Sequence, residues 1–598
     1  MNLRSLPVFT FVAFAAMAAP PDGESLYKQR CAVCHAGPKQ DRMPSFEDMR
    51  TRTPENLLEV MSKGAMKPQS AGLSEEELRS IARFVAGKDF GAVSAPAQQG
   101  LCQGPAPKFQ IGATDWNGWG GEATGSRYQP KPGIRAEDVP RLQVKWAFAV
   151  PGANVMAAQP VVVGGRVFFG AMNGKVYSLD AETGCQYWSF DAGAPVRAAV
   201  SIAKVDNSFV ALFGDSRATA HAVDALTGKP LWSQKLDDHP VARVTGSPVY
   251  ANGRLYVPMS SVEEASAMNA KYECCKFRGS VSALDARTGK VLFKAYSIPD
   301  PPSPYKKSDQ GVQQYGPAGA AIWSGPTIDQ KRKLIYAATG NSYTGVETKY
   351  SDAVIAYDLE TGSMKWASQV TPGDNFVMGC GRPGNPNCPE SLGPDHDFGT
   401  SPILRKLKNG KEIIVAAQKS GVVFGLDPDD NGKILWQTRV SKGGALGGVE
   451  WGHAVDDEQV YAAASDLFQK DGEPGITALN LATGAKVWST PAPPLDCKPG
   501  ARGCNAAQSA AVTVIPGVVF SGSVDGHLRG YDTRTGKIIW DFNTAREYQT
   551  VNGVPGKGAS IDYGGPAVVG GKLFSNSGSG QWAGAPGNVL LCFTVDGK

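Results

Sequence analysis

An eight-bladed all-β propeller behind a small all-α domain is the fold class the sequence predicts. Three observations carry it. The pattern Asp-x-x-Thr-Gly-x-x-x-Trp returns seven times after residue 110, an eighth copy is split between the two ends of that region, and a Cys-x-x-Cys-His motif stands upstream among helical patterns. A chain of 598 residues exceeds one ordinary core, so a large repeat or several domains are expected. The formal charge of +4 is slight for this length and gives no reason to expect nucleic acid as a partner.

Residues 1–18 read as a signal peptide: Arg4, an apolar run from Leu6 to Ala16, and a small-x-small site at Ala16-Met17-Ala18. The run is too short to span a bilayer, and no later stretch is long and apolar enough to do so. Export to the periplasm without a transmembrane anchor is expected.

Residues 20–88 form the helical domain. Cys31-Ala32-Val33-Cys34-His35 has the spacing of covalent haem c attachment, with both thiols forming thioethers and His35 beneath the iron. Pro54 to Lys63 reads as a short helix. Ser74 and Glu77 form a capping box for the next helix, whose apolar face is Leu78, Ile81, Ala82 and Val85, and Gly87 follows its end. This order resembles a class I cytochrome c domain, which implies a methionine as sixth iron ligand. Met66 has the right place, with Met43 and Met49 as rivals and Met61 on a helix. Residues 89–109, rich in small residues and without periodicity, read as a linker.

The propeller occupies 110–598. The copies begin at Asp180, Asp224, Asp285, Asp358, Asp427, Asn480 and Asp532 and end at Trp188, Trp232, Phe293, Trp366, Trp436, Trp488 and Trp540. Each reads as strand, Asp-x-x-Thr-Gly turn, strand. Upstream hairpins such as Pro160–Phe169 raise the count to four strands per repeat, a propeller blade. Leu142–Trp146 supplies an aromatic strand without its turn, and Asp596-Gly597 at the C-terminus supplies the missing half. Pairing first strand with last closes the ring and removes an edge. The aromatics are expected to pack blade on blade.

Of 11 cysteines, Cys31 and Cys34 go to haem. Cys380/Cys388 and Cys497/Cys504 lie at short spacing in turn-rich loops and suit local disulfides in an exported protein. Cys102, Cys185 and Cys592 have no partner legible in the sequence, and Cys274-Cys275 are neighbours.

These turns resemble those of the quinoprotein alcohol dehydrogenases, which bind pyrroloquinoline quinone (PQQ) and calcium. The resemblance implies roles for individual residues. Trp323, in Ala321-Ile-Trp323, matches the tryptophan floor under the quinone, and Asn341 and Glu264 match calcium ligands, with Glu263 a close rival to Glu264. Asp397 matches the catalytic aspartate, which also touches the calcium. Lys419 matches the cation at the quinone oxygen. Arg197, Thr245 and Trp451 match further cofactor contacts. Departures accompany the match. Ala198-Ala199 follows Arg197 where a cysteine pair is usual, and the pair Cys274-Cys275 falls in the next blade instead. Ala157 or Gln159 replaces a glutamate, and Ala321 a threonine. Together with the N-terminal cytochrome domain and the stretches Ser260–Glu264 and Glu273–Gly279, this resembles the polyvinyl alcohol dehydrogenase group. If Cys274 and Cys275 join, the disulfide could cover one face of the quinone; the alternative is that they stay reduced or pair elsewhere.

The resemblance implies oxidation of secondary alcohol groups, polymeric or small, with PQQ and Ca2+ as cofactors and electrons leaving through haem c to a soluble acceptor cytochrome. The competing class is a haem-linked propeller scaffold without enzymatic activity.

Overall fold

The computed structural model describes residues 22–35, 44–50, 52–62, 64, 66–67, 69–90, 100–104, 106–380 and 385–598. The expected signal peptide, the rival ligand Met43 and most of the expected linker lie outside these residues. The chain divides into two compact units, Met1–Ala95 and Pro96–Lys598.

In the first unit, helices run over Gly23–Arg30, Ala32–His35, Phe46–Arg50, Pro54–Ser62 and Glu75–Ala86. The capping box forms at Ser74 and Glu77, and Gly87 ends the last helix at φ 62°, the left-handed cap conformation. A Cβ at Gly23 would lie 2.1 Å from the Ser80 carbonyl oxygen, so only glycine lets the first and last helices touch there. Tyr27, Phe46 and Phe84 pack ring to ring beside a core of Met49, Leu57, Met61, Leu78, Ile81 and Val85. This is the cytochrome c arrangement the motif order implied.

The second unit is an eight-bladed propeller of antiparallel sheets. Blade 1 comprises Val161–Val163, Arg166–Gly170, Lys175–Asp180 and Gln186–Asp191. Blade 8 joins the termini: Leu142–Ala149 pairs with Val589–Val595, Leu142 opposite Val595 and Ala149 opposite Val589. The ring therefore has no open sheet edge at its seam.

The repeated turn explains itself chemically. Asp180 Oδ1 accepts from the Thr183 amide (2.8 Å) and hydroxyl (2.9 Å), and Gly184 takes φ 74°. Asp224, Asp285, Asp358, Asn480 and Asp532 repeat the clamp. The same glycine receives the preceding blade's aromatic. A Cβ at Gly228 would lie 2.8 Å from the Trp188 ring, at Gly362 2.4 Å from Phe293 and at Gly484 2.5 Å from Trp436. The Trp188 indole donates to the Ala225 carbonyl (3.0 Å) and, at the seam, Trp540 to the Leu142 carbonyl (3.2 Å). The aromatics are blade-to-blade packing.

Strand alternation sorts the loops. The Asp-x-x-Thr-Gly turns join third to fourth strands at one end of the propeller. The segments leading into each first strand, and the turns from second to third strand, emerge at the other end. A segment the sequence left unassigned, 112–133, closes the axis beneath that second end. Its hydrogen bonds visit the blades in order: Trp116 with Val162, Asn117 with Ile202, then the Ile328, Leu404, Val455 and Val514 amides, and finally Gly571 on Pro132.

Four disulfides join Cys102–Cys185, Cys274–Cys275, Cys380–Cys388 and Cys497–Cys504. Cys592 is a buried free thiol.

Candidate active site

The segments leading into the first strands converge on one cleft. Its walls include Ala157 of blade 1, Arg197 of blade 2, Thr245 of blade 3, Trp323 of blade 4, Gly399 of blade 5, Trp451 of blade 6 and Tyr563 of blade 8, with Trp119 of the axial segment among them. Four residues named from sequence (Arg197, Thr245, Trp323 and Trp451) are thus brought together. Trp323 and Trp451 meet edge to face at 5.3 Å, Trp451 lies 4.5 Å from Tyr563, and the Arg197 guanidinium sits 4.5 Å from the Trp451 ring centre. The Trp451 indole donates to Asp562 Oδ1 (2.6 Å), which fixes the ring. Thr245 and Ser260 share a hydroxyl hydrogen bond of 2.6 Å.

Behind Trp323 lies the ionised part of the site. The Ala320 amide donates to the Asn341 carbonyl and the Gly340 amide to the Ala321 carbonyl, which sets Trp323 beside Asn341. Asp397 Oδ1 accepts from the Asn341 amide (2.6 Å), and Oδ2 accepts from Lys419 Nζ (3.0 Å). Both side-chain N–H groups of Asn341 go to the Ser342 and Phe376 carbonyls, leaving the amide oxygen as its remaining polar atom. Two glycines make room. A Cβ at Gly340 would lie 2.4 Å from Asp397 Oδ1, and one at Gly399 2.4 Å from the Trp323 ring.

Lys419 is 4% exposed and also donates to Asp395 Oδ1 at 2.9 Å. Burial alone would lower its ammonium, but the Asp395 and Asp397 carboxylates outweigh that and hold it well above the usual lysine range. Burial pushes Glu450 up to about 8, and its Oε2 is buried without a hydrogen-bond partner.

The rival glutamates separate clearly. Glu263 is fully buried and accepts from the Lys276 and Phe277 amides (both 2.8 Å), the Tyr272 hydroxyl (2.9 Å) and His239 Nε2 (3.2 Å). It fastens the Cys274–Cys275 loop, with three of these donors on Oε1 and one on Oε2. Glu264 instead lies within electrostatic reach of Arg243, Tyr343 and Asp395. Cys274 and Cys275 are buried among Phe277, Ala318, Ala321 and Tyr343, a cluster against which Trp323 also packs.

Sequence reasoning missed Asp395, Glu450, Tyr563, Arg127 and Arg243. Asp395 and Glu450 adjoin motifs that were read, but nothing in the sequence marks which neighbour turns inward. Arg127 is 1% exposed and donates only to neutral acceptors: the Val512 and Trp119 carbonyls, Gln159 and Thr513. Arg243 Nε is buried without a partner. Among the described residues none of Arg127, Arg197 and Arg243 has an ion pair, although buried cations are ordinarily matched by anions. Arg197 lines the cleft and Arg243 lies within electrostatic reach of it, a positive flank that suits the carboxylates of PQQ, and the tryptophan walls suit a flat heterocycle.

In the helical unit, Cys31 and Cys34 stand outside the disulfides, and Cys34 is exposed. His35 is buried, and its Nδ1 lies 2.7 Å from the Pro44 carbonyl oxygen, which fixes the ring. Met49 and Met61 belong to the core, whereas Met66 packs partly buried at its edge.

Comparisons with known proteins agree with this geometry. Residues 116–378 match the glucose/ethanol/alcohol dehydrogenase β-propeller domain, 418–585 the outer membrane protein assembly factor BamB, and 18–85 the cbb3-type cytochrome c oxidase subunit III. A polyvinylalcohol dehydrogenase of Pseudomonas sp. is 45% identical, covering 98% of this chain and 95% of the relative. That of Sphingopyxis sp. is 41% identical over 96% of this chain and 93% of the relative. The crystal structure of quinohemoprotein alcohol dehydrogenase from Comamonas testosteroni superposes with a TM-score of 0.61 over 81% of each chain at 19% identity, which shows the shared fold. The propeller is a PQQ-type dehydrogenase propeller, the N-terminal unit is a cytochrome c domain, and the protein is an alcohol dehydrogenase. The chain belongs to the polyvinylalcohol dehydrogenase family.

Proposed function

We propose that the protein oxidises secondary alcohol groups of polyvinyl alcohol or a similar chain in the periplasm and passes the electrons through its haem c to an external cytochrome. The observation that carries this reading is the meeting of Arg197, Trp323 and Trp451 in one cleft with the Asp397–Lys419 pair directly behind Trp323. PQQ, when bound, supplies the two-electron acceptor that the side chains lack. Trp323 and Trp451 would hold its ring, Arg197, with Arg243 nearby, would offer positive charge to its carboxylates, and Thr245 would offer a hydroxyl. Glu264, Asn341 and Asp397 offer hard oxygen donors suited to Ca2+, which would act there as a Lewis acid.

The residues then divide the work. Asp397 accepts the hydroxyl proton of the alcohol as its carbinol C–H breaks to give a ketone. Lys419, kept protonated by two carboxylates, presents positive charge where negative charge develops. In the cytochrome domain Cys31 and Cys34 would anchor a haem, and His35 Nε2 and Met66 would serve as its iron ligands. Among the described residues no helix is long and apolar enough to cross a membrane.

The test uses full-length protein carrying haem, loaded with PQQ and calcium and offered polyvinyl alcohol, 2-alcohols and methanol, with reduction of an added cytochrome c as readout. PQQ-dependent reduction with the secondary alcohols is expected. No PQQ-dependent reduction with any alcohol would overturn the reading.

A further inference from the structure

We propose that a second cavity, behind the cleft on the propeller axis, is a water-filled rear passage through which the protons of alcohol oxidation leave the site. This deepens, and rests on, the reading of the protein as an alcohol dehydrogenase whose electrons leave through haem.

The cavity measures about 240 Å³ and shares two walls, Trp119 and Gly325, with the cleft. The lead-ins to the first strands fix its place. In blade 2 the cleft takes Arg197 and the cavity Ser201; in blade 3 the cleft takes Ser247 and the cavity Pro248; in blade 5 the cleft takes Gly399 and the cavity Ser401. Each lead-in runs away from the cleft end, so the cavity continues the cleft along the axis. Hydroxyls tie its walls together: Ser201 donates to the Pro248 carbonyl (2.7 Å) and Thr327 to the Pro402 carbonyl. Ile111, another wall, is 40% exposed beside exposed Gly112 and Ala113, so the cavity opens to solvent there.

Two buried hydroxyls call for water inside. Ser324 walls the cleft at 5% exposure and Ser401 walls the cavity at 6%. Among the described residues neither Oγ has a hydrogen-bond partner. Buried hydroxyls are ordinarily satisfied by protein or by ordered water. Gly325 stands between the two. It follows Ser324, and a Cβ there would lie 3.2 Å from Ser401 Oγ. Glycine brings no side chain to that crossing, so water can pass and bond both hydroxyls. The cavity has room for several waters, each of which takes about 30 Å³ in the liquid.

The chemistry needs such an exit. A carbinol that becomes a ketone loses its C–H and O–H bonds, and with them two electrons and two protons. Haem iron takes the electrons in two successive one-electron reductions, passing each to the acceptor cytochrome, and takes no proton. A polymer lying across the front of the cleft keeps bulk water from that side. Waters past Ser324, Gly325 and Ser401 carry the two protons to the solvent rim, where Asp115 and Glu122 place carboxylates on the cavity wall.

The test uses full-length holoenzyme loaded with PQQ and calcium, with Ser401→Val and Ser401→Thr beside the wild type and polyvinyl alcohol as substrate. Valine removes the hydroxyl and fills the passage; threonine keeps the hydroxyl. In Ser401→Val, kcat should fall about tenfold with KM unchanged, and the solvent deuterium isotope effect on kcat should rise as proton exit becomes limiting. The stabilisation that PQQ gives in a thermal-shift titration should stay at the wild-type value, and Ser401→Thr should keep wild-type turnover. Wild-type kcat in Ser401→Val, or a loss of rate with an unchanged isotope effect, would overturn the passage. Crystals of the wild-type holoenzyme test it without a substitution: ordered water on the Ser324 and Ser401 hydroxyls is expected, and a dry cavity would overturn it. Inactivity of the wild type toward every alcohol would instead remove the functional reading, and the proton role with it.

Discussion

Replacing Asp397 with asparagine separates chemistry from architecture. Asp397 holds the Asn341 amide at 2.6 Å and Lys419 Nζ at 3.0 Å. The amide oxygen of an asparagine can keep the first contact, but its NH2 then faces the ammonium. Lys419 retains Asp395 at 2.9 Å, so the loss is one charge-assisted hydrogen bond, about 1.5–3 kcal/mol of stability. Lys419→Met should cost more, about 3–5 kcal/mol, because it strands two buried carboxylates. If Asp397 is the base, kcat of Asp397→Asn should fall by roughly 10²–10⁴ while PQQ and haem contents stay at wild-type levels. Asp395→Asn should cost similar stability and much less rate, since among the described residues the Asp395 carboxylate bonds Lys419 and makes no hydrogen bond with Asn341 or Trp323. Denaturant titration, cofactor analysis and steady-state rates on one secondary alcohol decide the matter. Wild-type turnover in Asp397→Asn, or equal losses in the two variants, would refute the assignment.

Two further outcomes follow from the geometry. Gly399→Ala puts a methyl group 2.4 Å from the Trp323 ring and 2.2 Å from the Glu450 carbonyl oxygen, so PQQ should no longer raise the melting temperature even if the propeller still folds, as a thermal-shift titration would reveal. His453 is 1% exposed and burial pushes its imidazole down to about 4 from 6.5. Below pH 6.5 the unfolded chain therefore binds a proton that the folded chain refuses. Its contribution is intact above pH 6.5 and is lost as pH falls through about 4, worth about 3 kcal/mol. Denaturation midpoints of wild type and His453→Gln should accordingly converge as pH drops from 7 toward 4 (a window spanning that titration); a difference independent of pH would contradict this.

What the sequence disclosed was local. An Asp that caps its own turn and a Gly at φ 74° act within five residues, so the blades were legible, and so were the disulfides separated by 8 and 7 positions. Cys102–Cys185 spans 83 positions and was not. The axial segment 112–133 reads as glycine-rich loop because its partners are remote: the Arg127 side chain bonds Val512, 385 residues away. The cleft residues were named by resemblance, but the charge balance around them was not. Arg127 without a carboxylate, Asp395 sharing Lys419, and Glu263 accepting from four donors are facts of proximity. Glu263 and Glu264 are adjacent identical letters, and their different surroundings cannot be read from the sequence.

The central claim is that alcohol oxidation in the propeller reduces the haem of the same chain. Its most direct test is an anaerobic single turnover: PQQ- and calcium-loaded protein is mixed with a secondary alcohol while the haem absorbance is followed without any external acceptor. Haem reduction that requires PQQ and disappears in Asp397→Asn is the predicted result. Consumption of alcohol with the haem left oxidised, or haem reduction that proceeds without PQQ, would contradict it.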